Sequence, residues 1–339
     1  MVGRGVRIKR VGSLPRVAVT WAPAFPVALD VVGRELAGLA EVVPVEVGGG
    51  LAGEDLTAKL QGFQAVIIRP GSLPASALRA LPGLRHVAVH GVGYDRVDVA
   101  AAEELGMVVS NAAGTNAASV AELALALMVA LVRGFVRMDA EIRAGRWLES
   151  RFTGIELAGR RLGILGVGNV GRRVASRARA FEMEVAAYDP LYGPQQLAEH
   201  GILGLDADQV IGTSDLLTVH VPLSDSTRGL IGARELALMR PGAYLLNLAR
   251  GAIVDEAALL AALQSGHLAG AALDVREAEP PPVSDALGRL PNVIQTPHIG
   301  GSTHDATRRM AEACARDVAA VLRGGEPLHR VLSQGVLQP

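Results

Sequence analysis

The sequence contains a single cysteine, few aromatic residues and no excess of charge of either sign. Cys314 is the only cysteine among 339 residues, which excludes an intrachain disulfide and fits a reducing, cytoplasmic location. Aromatic residues make up 3% of the chain, and 33 Lys and Arg are balanced by 34 Asp and Glu, so neither a stacking platform nor a basic track for nucleic acid is expected. With no run of about 18 apolar residues, a membrane span is not expected either. The eight histidines are dispersed, so no metal site is predicted.

Short apolar, β-branched runs alternate with helical patterns along the whole chain. Predicted strands begin near positions 16, 65, 86, 162, 185, 216, 243 and 271. Near-continuous apolar strands predict parallel sheets covered by helices on both faces, and hence an α/β fold with two sheets. Residues 118–143 form one long helical pattern, apolar nearly all round at its start, which predicts burial between domains or at a subunit interface.

A glycine-rich turn follows the predicted strand at 162. Gly166 permits a tight turn, Gly168 allows close approach of a pyrophosphate, and Gly171 lets the next helix pack on the strand. Because the chain has 40 glycines, the motif alone is weak evidence for a nucleotide site. Its position between a predicted strand and a predicted helix makes the evidence stronger. The pattern predicts a dinucleotide site, and its loop candidates are Gly166, Gly168, Asn169, Val170 and Gly171.

Asp189 ends the next predicted strand, about 20 residues beyond the glycines. An acid at this spacing accepts hydrogen bonds from the adenosine ribose and favours NAD over NADP, whose 2′-phosphate it repels. The alternative is a turn residue before Pro190, whose carboxylate bonds nearby amides.

Three polar residues follow later strands and suit reduction of a 2-oxo acid. Arg250 offers a planar fork for a carboxylate, and His298 can give or take a proton near neutrality. Glu279, if paired with His298, would fix its ring and favour its protonated form. Taken singly, the three could be a surface cation, a loop charge and a helix cap. The carboxyl ends of parallel strands meet at one edge, which favours a shared catalytic site.

Four motifs together resemble those of the D-isomer-specific 2-hydroxyacid dehydrogenases: GVGNVG with Asp189, LNLARG, DVREAEP and TPHIGGST. The resemblance implies a flavodoxin-like substrate-binding domain, residues 1–113 and 300–339, with an inserted Rossmann-type NAD-binding domain, residues 114–299. It also implies that Arg250 binds the substrate carboxylate, that His298 is the acid/base, and that Glu279 is its partner.

The same resemblance implies further contacts. The substrate loop would be Val89–Asp98, with the amides of Val92 and Gly93 holding the carboxylate. The implied cofactor contacts are Pro222 near the adenosine and Asn247, Asp274 and His298 near the nicotinamide. Arg276 stands where the family usually has an aromatic residue, which changes either the rim of the pocket or the subunit contact.

Arg69 narrows the range of expected substrates. In the phosphoglycerate-oxidising members of the family, a similar arginine precedes small hydroxyl residues. Here Pro70 and Gly71 follow, so Arg69 is either a substrate ligand or a surface cation. Because the sequence stops at Pro339, a regulatory amino-acid-binding domain is not expected. Reduction of hydroxypyruvate or glyoxylate with NADH is the leading interpretation, and 3-phosphoglycerate dehydrogenase is the second.

Two further expectations concern partners. Some proteins of this fold sense NAD and act as corepressors without turnover, which is the alternative from another functional class. The resemblance, the apolar start of the 118–143 helix and the segment Gly145–Phe152 imply a homodimer built on the cofactor domain.

Overall fold

The computed structural model describes residues 13–23, 25–48, 56–147 and 153–333. The basic segment Arg4–Arg10 and residues 148–152 of the predicted dimer segment lie outside the described residues. In chain order, the strands are β1 Arg16–Trp21, β2 Glu41–Glu46, β3 Ala65–Ile68, β4 His86–Val89, β5 Val108–Asn111, β6 Arg161–Leu165, β7 Glu184–Tyr188, β8 Leu203–Gly204, β9 Leu216–Val219, β10 Ala243–Asn247, β11 Leu268–Leu273, β12 Val293–Gln295 and β13 Arg330–Val331.

The helices alternate with these strands, as βαβ units require. They are α1 Leu29–Glu35, α2 Ala75–Arg79, α3 Val99–Glu104, α4 Ala117–Arg133, α5 Phe135–Arg143, α6 Asn169–Ala180, α7 Pro194–Glu199, α8 Ala207–Thr213, α9 Ala233–Leu238, α10 Glu256–Gln264 and α11 His304–Leu322.

The chain divides into two compact units, each built on one sheet. One unit comprises Met1–Ala113 with Thr307–Gln338, and the other runs through Gly114–Ala306. The first sheet has the order β13-β5-β4-β3-β1-β2, parallel except for β13, and its 2-1-3-4-5 core is the flavodoxin-like order. The second has the order β12-β11-β10-β9-β6-β7-β8 and is parallel throughout. The predicted α/β class with two parallel sheets is confirmed.

The second sheet reverses its strand order between β6 and β9. This reversal is the point at which open α/β sheets bind ligands, outside the carboxyl ends of the strands. The strands are buried along most of their length, and the core beneath them is formed by aliphatic side chains such as Leu162, Ile164 and Leu216. The fold therefore presents a single edge at which the motifs of the second unit emerge.

The predicted 118–143 helix is two helices, which corrects the expectation of one continuous element. Gly134 has φ +62°, a left-handed conformation that ends α4, and α5 leaves at 62° to it. The start of α4 is buried in the core of its own unit, where Ala121 and Ala124 are fully covered. α5 has no buried residue among those described and exposes Phe135, Val136 and Ile142.

Within the described ranges, no single helix is long and apolar enough to cross a membrane. The bent pair α4 and α5 meets the requirement together, by length and composition only.

Candidate functional site

The glycine turn is shaped as a nucleotide cradle requires. Gly166 has φ +93°, and a Cβ there would lie 2.8 Å from the carbonyl carbon of His220 on the neighbouring strand end. A Cβ on Gly171 would lie 2.1 Å from the Gly166 oxygen, whereas one on Gly168 would meet nothing within 4 Å. Two glycines therefore permit close packing of the turn, and the third leaves open space beside the N-terminus of α6, where backbone amides attract phosphate. These residues fit a dinucleotide.

Asn169 and Val170 form the first turn of α6, immediately after the open glycine. The Asn169 amide group approaches Gly114, where a Cβ would lie 3.3 Å from its nitrogen. Their contact with a cofactor stays a prediction.

Asp189 follows β7 and its carboxylate bonds two backbone amides. Oδ2 accepts from Val167 N at 2.7 Å and Oδ1 accepts from Leu191 N at 2.9 Å. The first bond joins the end of β7 to the glycine turn. Each carboxylate oxygen can accept a second hydrogen bond, so this geometry is compatible with both the ribose contact and the turn reading.

Arg250 lies in the turn after β10, which Asn247 braces. The Asn247 side chain is 1% exposed, donates to Arg250 O at 2.8 Å and accepts from Ala249 N at 3.1 Å. A nicotinamide contact for Asn247 was implied by the resemblance, but its bracing of the arginine turn was not anticipated. The Arg250 guanidinium donates to Ala249 O at 2.7 Å.

His298 and Glu279 form a direct pair. His298 Nδ1 lies 2.8 Å from Glu279 Oε2, and the two side chains are 43% and 21% exposed. An ionised carboxylate can only accept, so Nδ1 carries the proton in this pair and Nε2 remains for exchange with a substrate. The sequence left this contact open, and the structure provides it.

The turn that carries His298 is strained and held by Asp274. His298 has φ +55°, a conformation uncommon for residues other than glycine, and such strain often marks functional positions. Asp274, 2% exposed, accepts from Thr296 Oγ1 at 2.6 Å, Ile299 N at 2.9 Å and Gly300 N at 2.8 Å. These bonds fix the turn around the imidazole. The carboxamide contact implied for Asp274 stays a prediction.

Strand order explains how these residues share an edge. β12, β11 and β10 are neighbours, and they lead respectively to His298, to the loop with Glu279, and to Arg250. β9, β6 and β7 follow along the same edge and lead to Pro222, the glycine turn and Asp189. The edge thus has a polar part suited to acid/base chemistry and a glycine-rich part suited to a dinucleotide.

His220 follows β9 and is partly buried. It contacts Thr218 Oγ1 at 3.0 Å, and burial lowers its pKa to about 4. An imidazole that is neutral near pH 7 does not serve as an acid there.

The first unit holds the predicted substrate residues Arg69, Val92 and Gly93. Arg69 follows β3 and Val92 and Gly93 follow β4, its neighbour, so both segments leave the same edge of the first sheet. Arg69 NH1 lies 3.0 Å from His90 Nδ1, and Val92 O accepts from Asn111 Nδ2 at 2.7 Å. Burial, with Arg69 nearby as the second cause, lowers the pKa of His90 to about 3. His90 is therefore a neutral acceptor for the guanidinium.

Within the described ranges, no group of three or more His, Cys, Asp or Glu side chains is arranged to hold a metal ion.

Known proteins share both the sequence and the fold. The D-isomer specific 2-hydroxyacid dehydrogenase NAD binding domain matches residues 125–300. D-3-phosphoglycerate dehydrogenase of Archaeoglobus fulgidus is 40% identical over 281 residues, which is 83% of this chain and 53% of that protein. Glyoxylate reductase of Thermococcus litoralis is 40% identical over 257 residues, which is 74% of this chain and 77% of that protein.

Among solved structures, a glyoxylate reductase from Paecilomyes thermophila is 30% identical and superposes with a TM-score of 0.84 over 94% of this chain and 99% of its own. The chain spans about half the length of the phosphoglycerate dehydrogenases that it matches. It covers, for example, 53% of the A. fulgidus protein. The family domain contains the glycine turn, Asp189, Arg250, Glu279 and His298. The chain belongs to the D-isomer specific 2-hydroxyacid dehydrogenase family and carries that family's NAD-binding domain.

Proposed function

We propose that this protein interconverts a small 2-oxo acid and a D-2-hydroxy acid with NAD(H), with hydroxypyruvate or glyoxylate as the oxo acid. The observation that carries the proposal is the 2.8 Å Glu279–His298 pair at the sheet edge that also carries Arg250 and the glycine turn. NADH supplies the hydride when bound.

The protein side chains supply binding and the proton. Arg250 binds the substrate carboxylate through its planar fork, which orients the neighbouring carbonyl. His298 gives the proton from Nε2 to the carbonyl oxygen during reduction and takes it back during oxidation. Glu279 accepts from Nδ1, so it fixes the tautomer and stabilises the charged ring.

We extend the proposal to the domains and the remaining contacts. Residues 114–299 would be the NAD-binding domain, and residues 1–113 with 300–339 the substrate-binding domain, with Val92 and Gly93 holding the carboxylate through their amides. Pro222, Asn247 and Asp274 would be cofactor neighbours. Glycine at position 93 and the 40% exposure of Val92 support a backbone-mediated contact.

A second candidate, 3-phosphoglycerate dehydrogenase, is favoured by Arg69. Burial lowers the pKa of this guanidinium, and its side chain forms no ion pair among the described residues. Its Nε is buried and has no hydrogen-bond partner there. Since a partly buried cation without an anionic partner is costly, Arg69 is suited to an anionic group such as a phosphate.

The experiment that tests the function is NADH oxidation with purified protein and a panel of glyoxylate, hydroxypyruvate, phosphohydroxypyruvate and pyruvate. Turnover of hydroxypyruvate or glyoxylate supports the leading proposal. A preference for phosphohydroxypyruvate that Arg69→Met abolishes supports the second. NADH binding without turnover of any member contradicts both and favours an NAD-sensing corepressor.

Cofactor preference should depend on Asp189. In Asp189→Ser, we expect kcat/KM for NADPH relative to NADH to rise at least about tenfold, because the carboxylate no longer repels the 2′-phosphate. Absolute activity with NADH should fall, since the bond to Val167 N is also lost. Initial rates at varied cofactor concentration measure both effects. An unchanged ratio would make Asp189 a turn residue only.

We also propose a homodimer through α5. This helix exposes Phe135, Val136 and Ile142, and Trp147 beyond it is 72% exposed. Several exposed apolar side chains in and just after one helix favour a protein partner, and a second copy presents the same surface. Light scattering coupled to gel filtration should give twice the 35.2 kDa chain mass, and Val136→Glu should give the single mass. A wild-type monomer would refute the proposal.

A further inference from the structure

Arg276 is a buried cation with all its donors used. Its side chain is 6% exposed, and each of its five N–H groups donates to a side-chain oxygen. Glu256 accepts from Nε at 2.9 Å and from NH2 at 2.8 Å. Asp285 accepts from NH1 at 2.7 Å and from NH2 at 3.0 Å, and Gln295 Oε1 accepts from NH1. Two bidentate pairs on one guanidinium require a fixed planar geometry, which lysine cannot reproduce.

The three partners lie on the three segments that carry the candidate active-site residues. Glu256 begins α10, directly after the turn with Arg250. Asp285 ends the loop with Glu279, and Gln295 ends β12, three residues before His298. One side chain therefore joins segments that are distant in sequence but must be held together for acid/base chemistry.

The backbone around Arg276 makes the same connections. Arg276 N donates to Glu279 Oε1 at 3.1 Å, so the residue contacts the catalytic carboxylate directly. Glu277 N donates to Glu256 Oε1 at 2.8 Å. A Cβ on Gly251 would lie 1.9 Å from the carbonyl carbon of Arg276, which shows how closely the Arg250 turn packs on this backbone.

The cluster depends on its cation. Glu256 and Asp285 are 23% and 15% exposed, and both face the same guanidinium. The hydrogen bond from Arg276 lowers the pKa of Asp285, which keeps that carboxyl ionised. Removal of Arg276 would leave two half-buried negative charges facing one another, and the loop would separate from α10 and β12 to hydrate them.

We propose that Arg276 is a positioning residue that fixes Arg250, Glu279 and His298 relative to one another by joining Glu256, Asp285 and Gln295. The inference rests on the proposed dehydrogenase function and adds a residue that acts through Glu279 and His298. It predicts that loss of the guanidinium impairs chemistry more than cofactor binding.

The test uses Arg276→Met in the full-length protein, with Arg234→Met as a matched control. Arg234 also pairs with one Asp and one Glu, Asp208 and Glu235, but its side chain is 63% exposed. We expect kcat with the active 2-oxo acid to fall about 10- to 100-fold in Arg276→Met, since misplacement by about 1 Å can cost 10²-fold. The NADH dissociation constant should stay within about twofold, and Arg234→Met should match the wild type.

Two further variants distinguish positioning from general stability. In Arg276→Lys, kcat should remain as low as in Arg276→Met. The triple variant Arg276→Met/Glu256→Gln/Asp285→Asn removes the repulsion between carboxylates, so it should regain the thermal stability of the wild type but not its kcat. Wild-type kcat in Arg276→Met or in the triple variant would overturn the proposal.

Hydrogen exchange followed by mass spectrometry, without cofactor or substrate, provides a test independent of activity. Peptides from residues 276–298 should exchange faster in Arg276→Met, and peptides from β6 and α6 should not change. Equal exchange of residues 276–298 in variant and wild type would contradict the proposal. If the wild type turns over no 2-oxo acid, the proposed function fails, but this exchange experiment still decides whether Arg276 holds the three segments.

Discussion

His298→Asn should lower kcat for reduction by about 10³-fold, within the 10²- to 10⁴-fold range of general acid catalysis, and leave NADH binding intact. Asparagine preserves a polar side chain of similar reach and tolerates the left-handed φ of +55° at this position. It cannot give up a proton to a carbonyl oxygen near neutral pH. Steady-state rates with the best oxo acid and fluorescence titration with NADH separate the two effects.

The control for this variant is His200→Asn. His200 is exposed at the end of α7 and belongs to the same unit, so it tests the substitution without touching the candidate site. If His298→Asn keeps more than about a tenth of the activity, or if NADH binding falls to the same degree, the acid/base role is assigned to the wrong residue.

Arg250→Lys should lower kcat/KM by about 10²-fold, mostly through a higher KM for the oxo acid. Lysine retains the charge but cannot form two parallel bonds to a carboxylate. Arg250→Ala should lower it further, because the charge is lost as well. Initial rates over a wide range of oxo-acid concentration give kcat and KM separately.

Arg240→Lys is the matched control. Arg240 precedes β10 and Arg250 follows it, so the two arginines lie at opposite ends of one strand. Arg240 pairs with Asp215 at 3.2 Å and is 48% exposed, and its replacement should leave both kinetic constants unchanged. Equal losses for the two lysine variants would indicate a general effect of charge geometry on the sheet rather than a substrate contact.

Local pattern was sufficient for the glycine turn and for most central strands. β1, β3, β4, β6, β7, β9 and β10 each contain the apolar run that predicted them. β2 was not predicted, because its sequence EVVPVE contains Pro44 and mixes exposed with partly buried residues. It is an edge strand of its sheet, and an edge is where proline is tolerated. The break at Gly134 was not predicted, because the apolar pattern around it does not indicate the backbone dihedral angles.

The site was predictable as a set of residues but not as a network. Arg250, Glu279 and His298 follow from their chemistry and their position after strands, since parallel strands deliver them to one edge. The bracing by Asn247 and Asp274 depends on side-chain rotamers in folded turns. The partners of Arg276 lie 20 residues before it and up to 19 residues after it, and no local pattern links them.

The order in which the ribosome delivers the two units follows from their connectivity. The first sheet is interrupted after β5, and its last strand, β13, arrives only after all of Gly114–Ala306 has been synthesised. The second unit is continuous in the chain and can complete its sheet first, whereas the nascent first unit waits with the edge of β5 unpaired. An unpaired edge of buried, β-branched strand is a site for intermolecular pairing. The edge of β5 therefore stays exposed until α11 and β13 have been synthesised and β13 can pair with it.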